Sequence, residues 1–280
     1  MVNMKIRLSH LFDSAFGKTD QIRVLNTLAT DGAFEFSSFG LFLCLFHGLN
    51  FNTKSAYLPT KCNRIETMVY SVIGILISVI YLILAISIHE FAHAFTADKL
   101  GDPTARSMGR LTLNPLAHID PVGTVVLPLA LMLLSGGSFA FGWGKPTPFD
   151  PYNLRNPRRD AGIISIAGPV SNLLLAAIVA LVVHFLPFEV AVFLIPFVII
   201  NISLAVFNLI PVGPLDGQKI VLALLPRDLA YEFQVIMNRF GTLILIFLIF
   251  PFFGSSPVMA ILDPAITFLT RLFLPGLNSF

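Results

Sequence analysis

Two histidines and a glutamate lie within one helical turn's length of sequence, in the pentapeptide from His89 to His93. Residues four apart project from the same face of an α-helix, so His89 and His93 can bind one metal ion together. Hydrolytic zinc sites have three protein ligands, often neutral imidazoles, and a bound water. Glu90 lies beside the first histidine, where it can take a proton from that water and return it to a leaving amine. The spacing therefore predicts a zinc centre that hydrolyses a bond.

A third ligand has to come from elsewhere in the chain, and Asp216 is the best candidate. It follows two prolines that stop a helix, and it precedes Gly217, which allows the backbone to turn sharply. We predict that His89, His93 and Asp216 hold one zinc ion per chain. The alternative is that Asp216 caps the helix that follows it, a role that neither requires nor excludes a metal.

The composition helps to decide whether the histidine pair is a metal site, because such a pair can also arise by chance on a soluble helix. Of the 280 residues, 55% are hydrophobic and only 12% are charged, with a mean hydropathy of +0.81. The chain's solvent must therefore be largely lipid. Placing an ionised group in a membrane helix costs roughly 2.5 kcal/mol or more of free energy, so such groups are retained where function requires them. The remaining alternative for the pair is a hydrogen-bonded helix terminus.

Charge and cysteine content exclude several other classes of protein. The 18 Lys and Arg residues nearly balance the 16 Asp and Glu residues, and a net charge of +2 provides no basic field for nucleic acid. We therefore expect no nucleic-acid partner. The two cysteines, Cys44 and Cys62, are too few for a disulfide framework or a cysteine-rich metal site.

The elements that position these residues are predicted to be membrane helices. Three uncharged segments reach the roughly 20 residues needed to span the hydrocarbon core: Met68–Ile88, Ala161–Val183 and Val190–Ile210. From Gly241 to Leu262 the chain is also uncharged, but prolines and glycines interrupt it, which indicates one short span or a helical hairpin. We predict an all-α membrane protein, a polytopic transmembrane helix bundle.

The stretch from Val122 to Gly144 is long enough to cross the membrane once, but Pro128 and several glycines break it. Basic residues lie on both sides of it: Lys99, Arg106 and Arg110 before, and Lys145, Arg155, Arg158 and Arg159 after. The positive-inside rule then places both flanks in the cytoplasm. We predict a re-entrant element between the first and second core helices, which also returns Asp216 to the histidines' side. The alternative is a genuine crossing with a basic outer loop.

Taken together, these residues resemble the site-2 protease family of intramembrane zinc metalloproteases. The resemblance runs from about Met68 to about Arg227. Within the family, the chain resembles most the compact bacterial branch, whose members have no PDZ or CBS domain. Besides the histidine pair, the resemblance is carried by Gly101–Arg106, Gly109–Pro115, His118–Pro121, Gly142–Pro146, Ala167–Asn172 and Asn208–Gly217.

The resemblance implies a site-2-type zinc metalloendopeptidase that cleaves a peptide bond in or near the transmembrane segment of a membrane-protein substrate. His89, His93 and Asp216 match the family's zinc ligands, and Glu90 matches its catalytic glutamate. The lipid bilayer is then the protein's surroundings. The implied location is the bacterial plasma membrane, with the active site toward the cytoplasm. The oligomeric state and the identity of the substrate stay open.

Two asparagines are further candidates in light of the resemblance. Asn208 matches an asparagine that assists substrate or oxyanion binding in the family, although it could equally cap a helix end. Asn172 is similarly placed to present its amide inward, although it and Gly168 could serve only close helix packing.

The upstream residues differ from the rest of the chain. Residues 1–67 carry scattered charges and many phenylalanines, and their apolar run from Phe39 to Leu49 is too short to span a membrane. We interpret residues 1–67 as an N-terminal extension and 68–280 as the intramembrane metalloprotease domain, with Met68 as a candidate start of the natural protein.

Two rival interpretations remain. One is a membrane zinc protease of another type, whose third ligand is a downstream glutamate, for which Glu189 and Glu232 are the candidates. The other is a membrane scaffold that retains the fold without activity, although such a protein would have been free to lose Glu90 or Asp216.

Overall fold

The computed structural model describes residues 64–134, 142–250 and 256–275, which are mostly helical and contain no strand. Four of the described helices are long and apolar enough to cross a membrane. This confirms the predicted all-α membrane fold. The helices are α1 (Arg64–Lys99), α2 (Thr104–Ser107), α3 (Leu127–Leu134), α4 (Pro157–Val183), α5 (Phe188–Asn208), α6 (Asp216–Leu224), α7 (Arg227–Ile249) and α8 (Pro257–Phe273).

Helices α1, α4 and α5 form the unit that carries the candidate site. Helix α4 packs against both α1 and α5, and the short helix α6 packs against α4. Ala176 and Ala180 are buried where α4 meets α5, because small side chains let membrane helices approach closely. On the opposite face of α4, Leu174, Ile178 and Leu181 are exposed, as expected of a surface that faces lipid.

Helix α1 extends beyond the predicted segment Met68–Ile88 at both ends. It begins at Arg64, and it ends at Lys99 rather than at the first histidine. Gly101, with φ 104°, terminates it, and the amide of Asp102 donates to the carbonyl of Ala97, a pattern typical of glycine-terminated helices. The histidine pair therefore lies inside the helix. Residues 1–63 of the proposed extension lie outside the described residues.

The C-terminal region contains two helices rather than one. Helix α7 begins at Arg227, well before the predicted start at Gly241, and α8 packs against it. The prediction of an uncharged segment placed the start too late, because charged side chains such as Asp228 and Arg239 do not break a helix. Of the two predictions, one short span or a helical hairpin, the hairpin is closer to the structure. Residues 251–255 lie outside the described residues.

The described flanks of the predicted re-entrant element lie side by side. A wide helical turn, Pro121–Val126, leads directly into α3. The returning chain pairs with its start, since the amide of Trp143 donates to the carbonyl of Gly123 at 3.0 Å. The amide of Lys145 donates to the carbonyl of His118 at 2.8 Å. Both flanks are therefore at the same end of the bundle, which agrees with the predicted re-entrant element.

Asp102 fixes the loops next to this element. Its buried carboxylate accepts hydrogen bonds from the amides of Thr104 and Asp150 and from the side-chain amide of Asn153. Burial raises the pKa of Asp102, but these hydrogen bonds outweigh burial and hold the pKa below its usual value. The ionised carboxylate thus ties the turn after α1 to the segment that leads into α4.

Candidate metal centre

Helix α1 presents two buried imidazoles to the interior of the bundle. His89 and His93 are only 5% and 7% exposed, and their ring centroids lie 4.6 Å apart with the rings perpendicular. One helical turn separates them, as the spacing predicts. Their Nε2 atoms face the start of α6.

Asp216 is the first residue of α6, and its carboxylate meets both imidazoles. Its Oδ2 lies 3.0 Å from Nε2 of His89 and 3.1 Å from Nε2 of His93. Across the described ranges, these three residues form the one group of His, Cys, Asp or Glu side chains whose ligand atoms come within 4.8 Å of one another. The capping alternative for Asp216 is wrong, because the residue that caps α6 is Leu215 and Asp216 lies inside the helix.

Gly217 lets α6 approach the end of α5. A Cβ atom at this position would lie 2.3 Å from the carbonyl oxygen of Ile210 and 2.4 Å from that of Leu209. The residue was predicted to permit a sharp turn. The structure instead requires glycine for the close passage of two backbones, since its φ is not positive.

The other ring nitrogens determine which tautomer each histidine adopts. Nδ1 of His93 lies 2.7 Å from the carbonyl oxygen of Ile164, which can only accept. Nδ1 of His89 lies 2.7 Å from Oδ1 of Asn172, also an acceptor. Both Nδ1 atoms therefore carry a hydrogen, so in the neutral imidazoles both Nε2 atoms direct a lone pair toward Asp216.

This donor set fits a zinc ion. Two imidazole Nε2 atoms and a carboxylate oxygen converge, and with neutral imidazoles three acceptors so close together repel one another unless a cation lies among them. Ligand atoms about 2.0–2.1 Å from a tetrahedral zinc ion are about 3.3 Å apart, close to the 3.0 and 3.1 Å observed.

Helix α4 crosses the imidazoles at Gly168. A Cβ atom there would lie 2.5 Å from Nε2 of His93 and 2.6 Å from Cε1 of His89. Close helix packing was one alternative for Gly168, and the surface it packs against is the pair of rings. The absence of a side chain thus leaves room for the rings to hold their positions.

Gly168→Ala is expected to lower zinc affinity by at least about tenfold, because the added methyl group displaces the rings that outer-shell contacts otherwise fix. Gly162→Ala is the matched control on the same helix. Its Cβ would lie 2.4 Å from Cβ of Ala223, so it overpacks α4 against α6, at a cost of about 1–3 kcal/mol, without touching the rings. Zinc content and melting temperature of both purified variants check the prediction. Equal zinc loss in both would contradict it.

Glu90 is connected to the segment that follows the re-entrant element. Its Oε2 accepts a hydrogen bond from the amide of Thr147 at 2.6 Å, and the Thr147 hydroxyl donates to the Glu90 carbonyl at 3.1 Å. Glu90 is half-buried. One carboxylate oxygen is thus held by the protein.

The structure separates the two candidate asparagines. Asn172 is fully buried behind His89, on the Nδ1 side of the ring. Asn208 is the last residue of α5, and its Nδ2 donates to the carbonyl of Leu204 in the same helix at 2.9 Å.

Within the described parts of the chain, no other histidine or glutamate belongs to the group around Asp216. His118 is buried, and its Nε2 lies 2.8 Å from the carbonyl oxygen of Thr112, so the ring ties its own loop together. Glu232 is exposed on α7, and Glu189 lies in the first turn of α5. His10 and His47 lie outside the described residues.

Sequence reasoning missed two residues close to the site. Thr147 escaped notice because its contact with the Glu90 carboxylate is made by its backbone amide, for which no side-chain type is diagnostic. Asn201 could have been found, because a carboxamide in the middle of an otherwise apolar membrane helix needs a hydrogen-bonding partner.

The sequence profile described as "Peptidase family M50" matches residues 77–193 and 188–248, which is more than half of the chain. The chain is 36% identical over 197 residues to "Putative zinc metalloprotease YwhC" of Bacillus subtilis, covering 64% of this chain and 86% of that protein.

Two mycobacterial relatives are covered less completely. "Putative zinc metalloprotease Rip2" of Mycolicibacterium smegmatis is 35% identical over 152 residues, covering 52% of this chain and 57% of that protein. Rip2 of Mycobacterium tuberculosis is 27% identical over 160 residues, covering 55% and 58%. No solved structure matches the chain. The extent of the profile match, together with the metal-binding chemistry of the buried group, shows that the chain belongs to peptidase family M50, the site-2-type zinc metalloproteases.

Proposed function

We propose that the protein is an intramembrane endopeptidase in which His89, His93 and Asp216 hold one zinc ion. The observation that carries the proposal is the convergence of two Nε2 atoms on one carboxylate oxygen, at 3.0 and 3.1 Å. Zinc, when bound, supplies a Lewis acid that lowers the pKa of a water to about 7.

Glu90 moves the proton in this proposal. It takes a proton from the attacking water and delivers it to the leaving amine, the two tasks of a general base and acid. The amide of Thr147 holds Oε2, which leaves Oε1 to accept the proton. Asn208 is proposed to contact the substrate or the oxyanion, supported by its place at the end of α5, eight residues before Asp216.

The proposed substrate is the transmembrane segment of another protein. Both histidines lie inside the membrane-length segment Leu76–Lys99 of α1, so a scissile bond must reach them at membrane depth. A helical substrate must unwind locally, because its carbonyls are otherwise shielded by their own hydrogen bonds. The non-helical segment 142–150, which carries Thr147, is a place where an unwound strand could pair.

We further propose that the protein resides in the bacterial plasma membrane with the centre toward the cytoplasm. Its relatives are bacterial, and the family is one of membrane proteases. Arg155, Arg158 and Arg159 are exposed around the start of α4, and Lys99 is exposed at the end of α1. The positive-inside rule assigns these ends of the helices to the cytoplasm.

The test compares membrane proteomes of cells that make the wild type or Glu90→Gln. Uncleaved membrane proteins should accumulate in the variant, and their fragments should appear in the wild type alone, with new ends that map to transmembrane segments. An accumulating protein is then placed in liposomes with purified enzyme and zinc. Cleavage confined to soluble proteins, or no difference between the strains, would contradict the proposal.

Thr147→Pro tests the hold on Glu90. Proline removes the amide hydrogen that Oε2 accepts, and misplacing a catalytic group can cost about 100-fold in rate, so a loss of kcat with zinc retained is expected. Thr147→Ala is the control, because it keeps the amide and removes only the hydroxyl contact with the Glu90 carbonyl. Pro146 and Pro148 flank this position, so the segment already has an extended conformation. Equal rates in the two variants would contradict the role of the amide.

A further inference from the structure

Two asparagines form a buried chain of hydrogen bonds behind His89. Asn172 on α4 and Asn201 on α5 are each 0% exposed. Oδ1 of Asn172 accepts from Nδ1 of His89, and its Nδ2 donates to Oδ1 of Asn201 at 2.8 Å and to the carbonyl of Ala85 at 3.1 Å. Nδ2 of Asn201 donates to the carbonyl of Phe197 at 2.9 Å.

The donor and acceptor roles in this chain of hydrogen bonds are fixed. The carbonyl of Phe197 can only accept, so the NH2 group of Asn201 must face it and Oδ1 of Asn201 must face Asn172. Oδ1 of Asn201 and the carbonyl of Ala85 both accept, so they orient the NH2 group of Asn172 toward themselves. The oxygen of Asn172 is then left for His89.

The orientation matters because a carboxamide can face a histidine with either end. If the NH2 group of Asn172 faced His89, Nδ1 would have to accept, and the hydrogen would move to Nε2, where it would point at Asp216. His93 needs no such control, because its partner is the carbonyl of Ile164, which cannot reverse.

Packing alone does not account for these two side chains. A buried carboxamide costs free energy unless its hydrogen bonds are made, and an apolar side chain would fill the same space in a membrane helix without that requirement. The chain of hydrogen bonds that these asparagines form instead ends at one ring nitrogen of a candidate metal ligand.

We propose that Asn201 is a positioning residue that acts through Asn172 to fix His89 as the tautomer that binds zinc through Nε2. The proposal rests on the proposed function, because it requires His89 to be a zinc ligand. It also reassigns Asn172 from a substrate contact to the partner of His89, since the Asn172 amide lies on the ring's Nδ1 side, away from Asp216.

The test measures zinc affinity by chelator competition in the purified full-length protein, and the absorption spectrum of its cobalt form. Asn172→Leu should weaken zinc binding by about 10- to 100-fold, and Asn201→Leu by about tenfold, the range for partners behind a metal ligand. Because Asn201 acts through Asn172, the double variant should bind zinc no more weakly than Asn172→Leu. Additive losses would overturn the proposal.

Three further substitutions on α5 separate positioning from packing. Ser203→Ala is the control, because the buried Ser203 Oγ has no hydrogen-bond partner among the described residues, and its zinc affinity should equal the wild type's. Asn201→Asp, kept protonated by its full burial, has an oxygen that accepts from Asn172 and an O–H that donates to the Phe197 carbonyl, whereas Asn201→Ala has neither. We expect the zinc affinity and cobalt spectrum of Asn201→Asp, but not those of Asn201→Ala, to resemble the wild type's. Equal affinities of these two variants would overturn the proposal, and this comparison decides if Asn201→Leu does not fold.

Asp216→Ala serves as the reference for the centre itself. If it keeps wild-type zinc affinity, the proposed metal centre fails. If it loses zinc while Asn201→Leu binds zinc as the wild type does, only the positioning role of Asn201 fails.

Discussion

Glu90→Gln is expected to abolish peptide-bond hydrolysis while the zinc content stays that of the wild type. Glutamine cannot accept the proton, and a general base is worth about 10²- to 10⁴-fold in rate, so cleavage should fall at least about 100-fold. The glutamine Oε1 can still accept the amide hydrogen of Thr147, so the side chain keeps its position. Substrate cleavage in liposomes and elemental zinc analysis measure the two quantities.

The control for this variant is Glu232→Gln. Glu232 is exposed on α7, in a helix that supplies no member of the metal-binding group, so both cleavage and zinc content should stay unchanged. A Glu90→Gln protein that cleaves within about tenfold of the wild-type rate would contradict the assignment of Glu90 as general base. Zinc loss in this variant would instead indicate that Glu90 is needed to build the centre.

Asp216→Ala is expected to remove zinc. The carboxylate is the one member of the group that α1 does not supply, and its Oδ2 contacts both Nε2 atoms. Loss of a partner behind a ligand costs about 10- to 100-fold in affinity, so loss of a ligand should cost at least about 100-fold. Cleavage should fall with the zinc content.

Thermal unfolding provides a second measurement of the same centre. Zinc at about 100 times its Kd stabilises a folded protein by about 2.7 kcal/mol, so a chelator should lower the wild-type melting temperature. The melting temperature of Asp216→Ala should not respond to zinc or chelator. Asp228→Ala, at an exposed position in the first turn of α7, should behave as the wild type. A wild-type zinc response in Asp216→Ala would place the metal elsewhere.

The group around Asp216 could be predicted because each member has a local signal. The four-residue spacing of His89 and His93 fixes their common face, and the prolines before Asp216 mark an irregular segment. The structure brings these three side chains together from helices α1 and α6. The helix boundaries were less accurate, because the length of an uncharged stretch reports the part that matches the hydrocarbon core rather than the whole helix.

The supporting contacts could not be predicted from one sequence. Asn172 meets His89 across 83 positions, and Thr147 meets Glu90 across 57. Which residues meet across such separations depends on how α4 and the returning segment pack against α1, and neither hydropathy nor spacing encodes that register. Asp102 is similar, since its partners Asp150 and Asn153 belong to a loop that only the fold brings near.

The distance along the chain between His89 and Asp216 has a consequence for biosynthesis. The two residues are 127 positions apart. A ribosome adding about 5–20 residues per second needs about 6 to 25 s to pass from the first to the second. Under the proposed assignment, a nascent chain holds its histidine pair and Glu90 in the membrane throughout that interval without the carboxylate that completes the centre. Newly inserted chains, and chains truncated before Asp216, would then be unable to cut their neighbours.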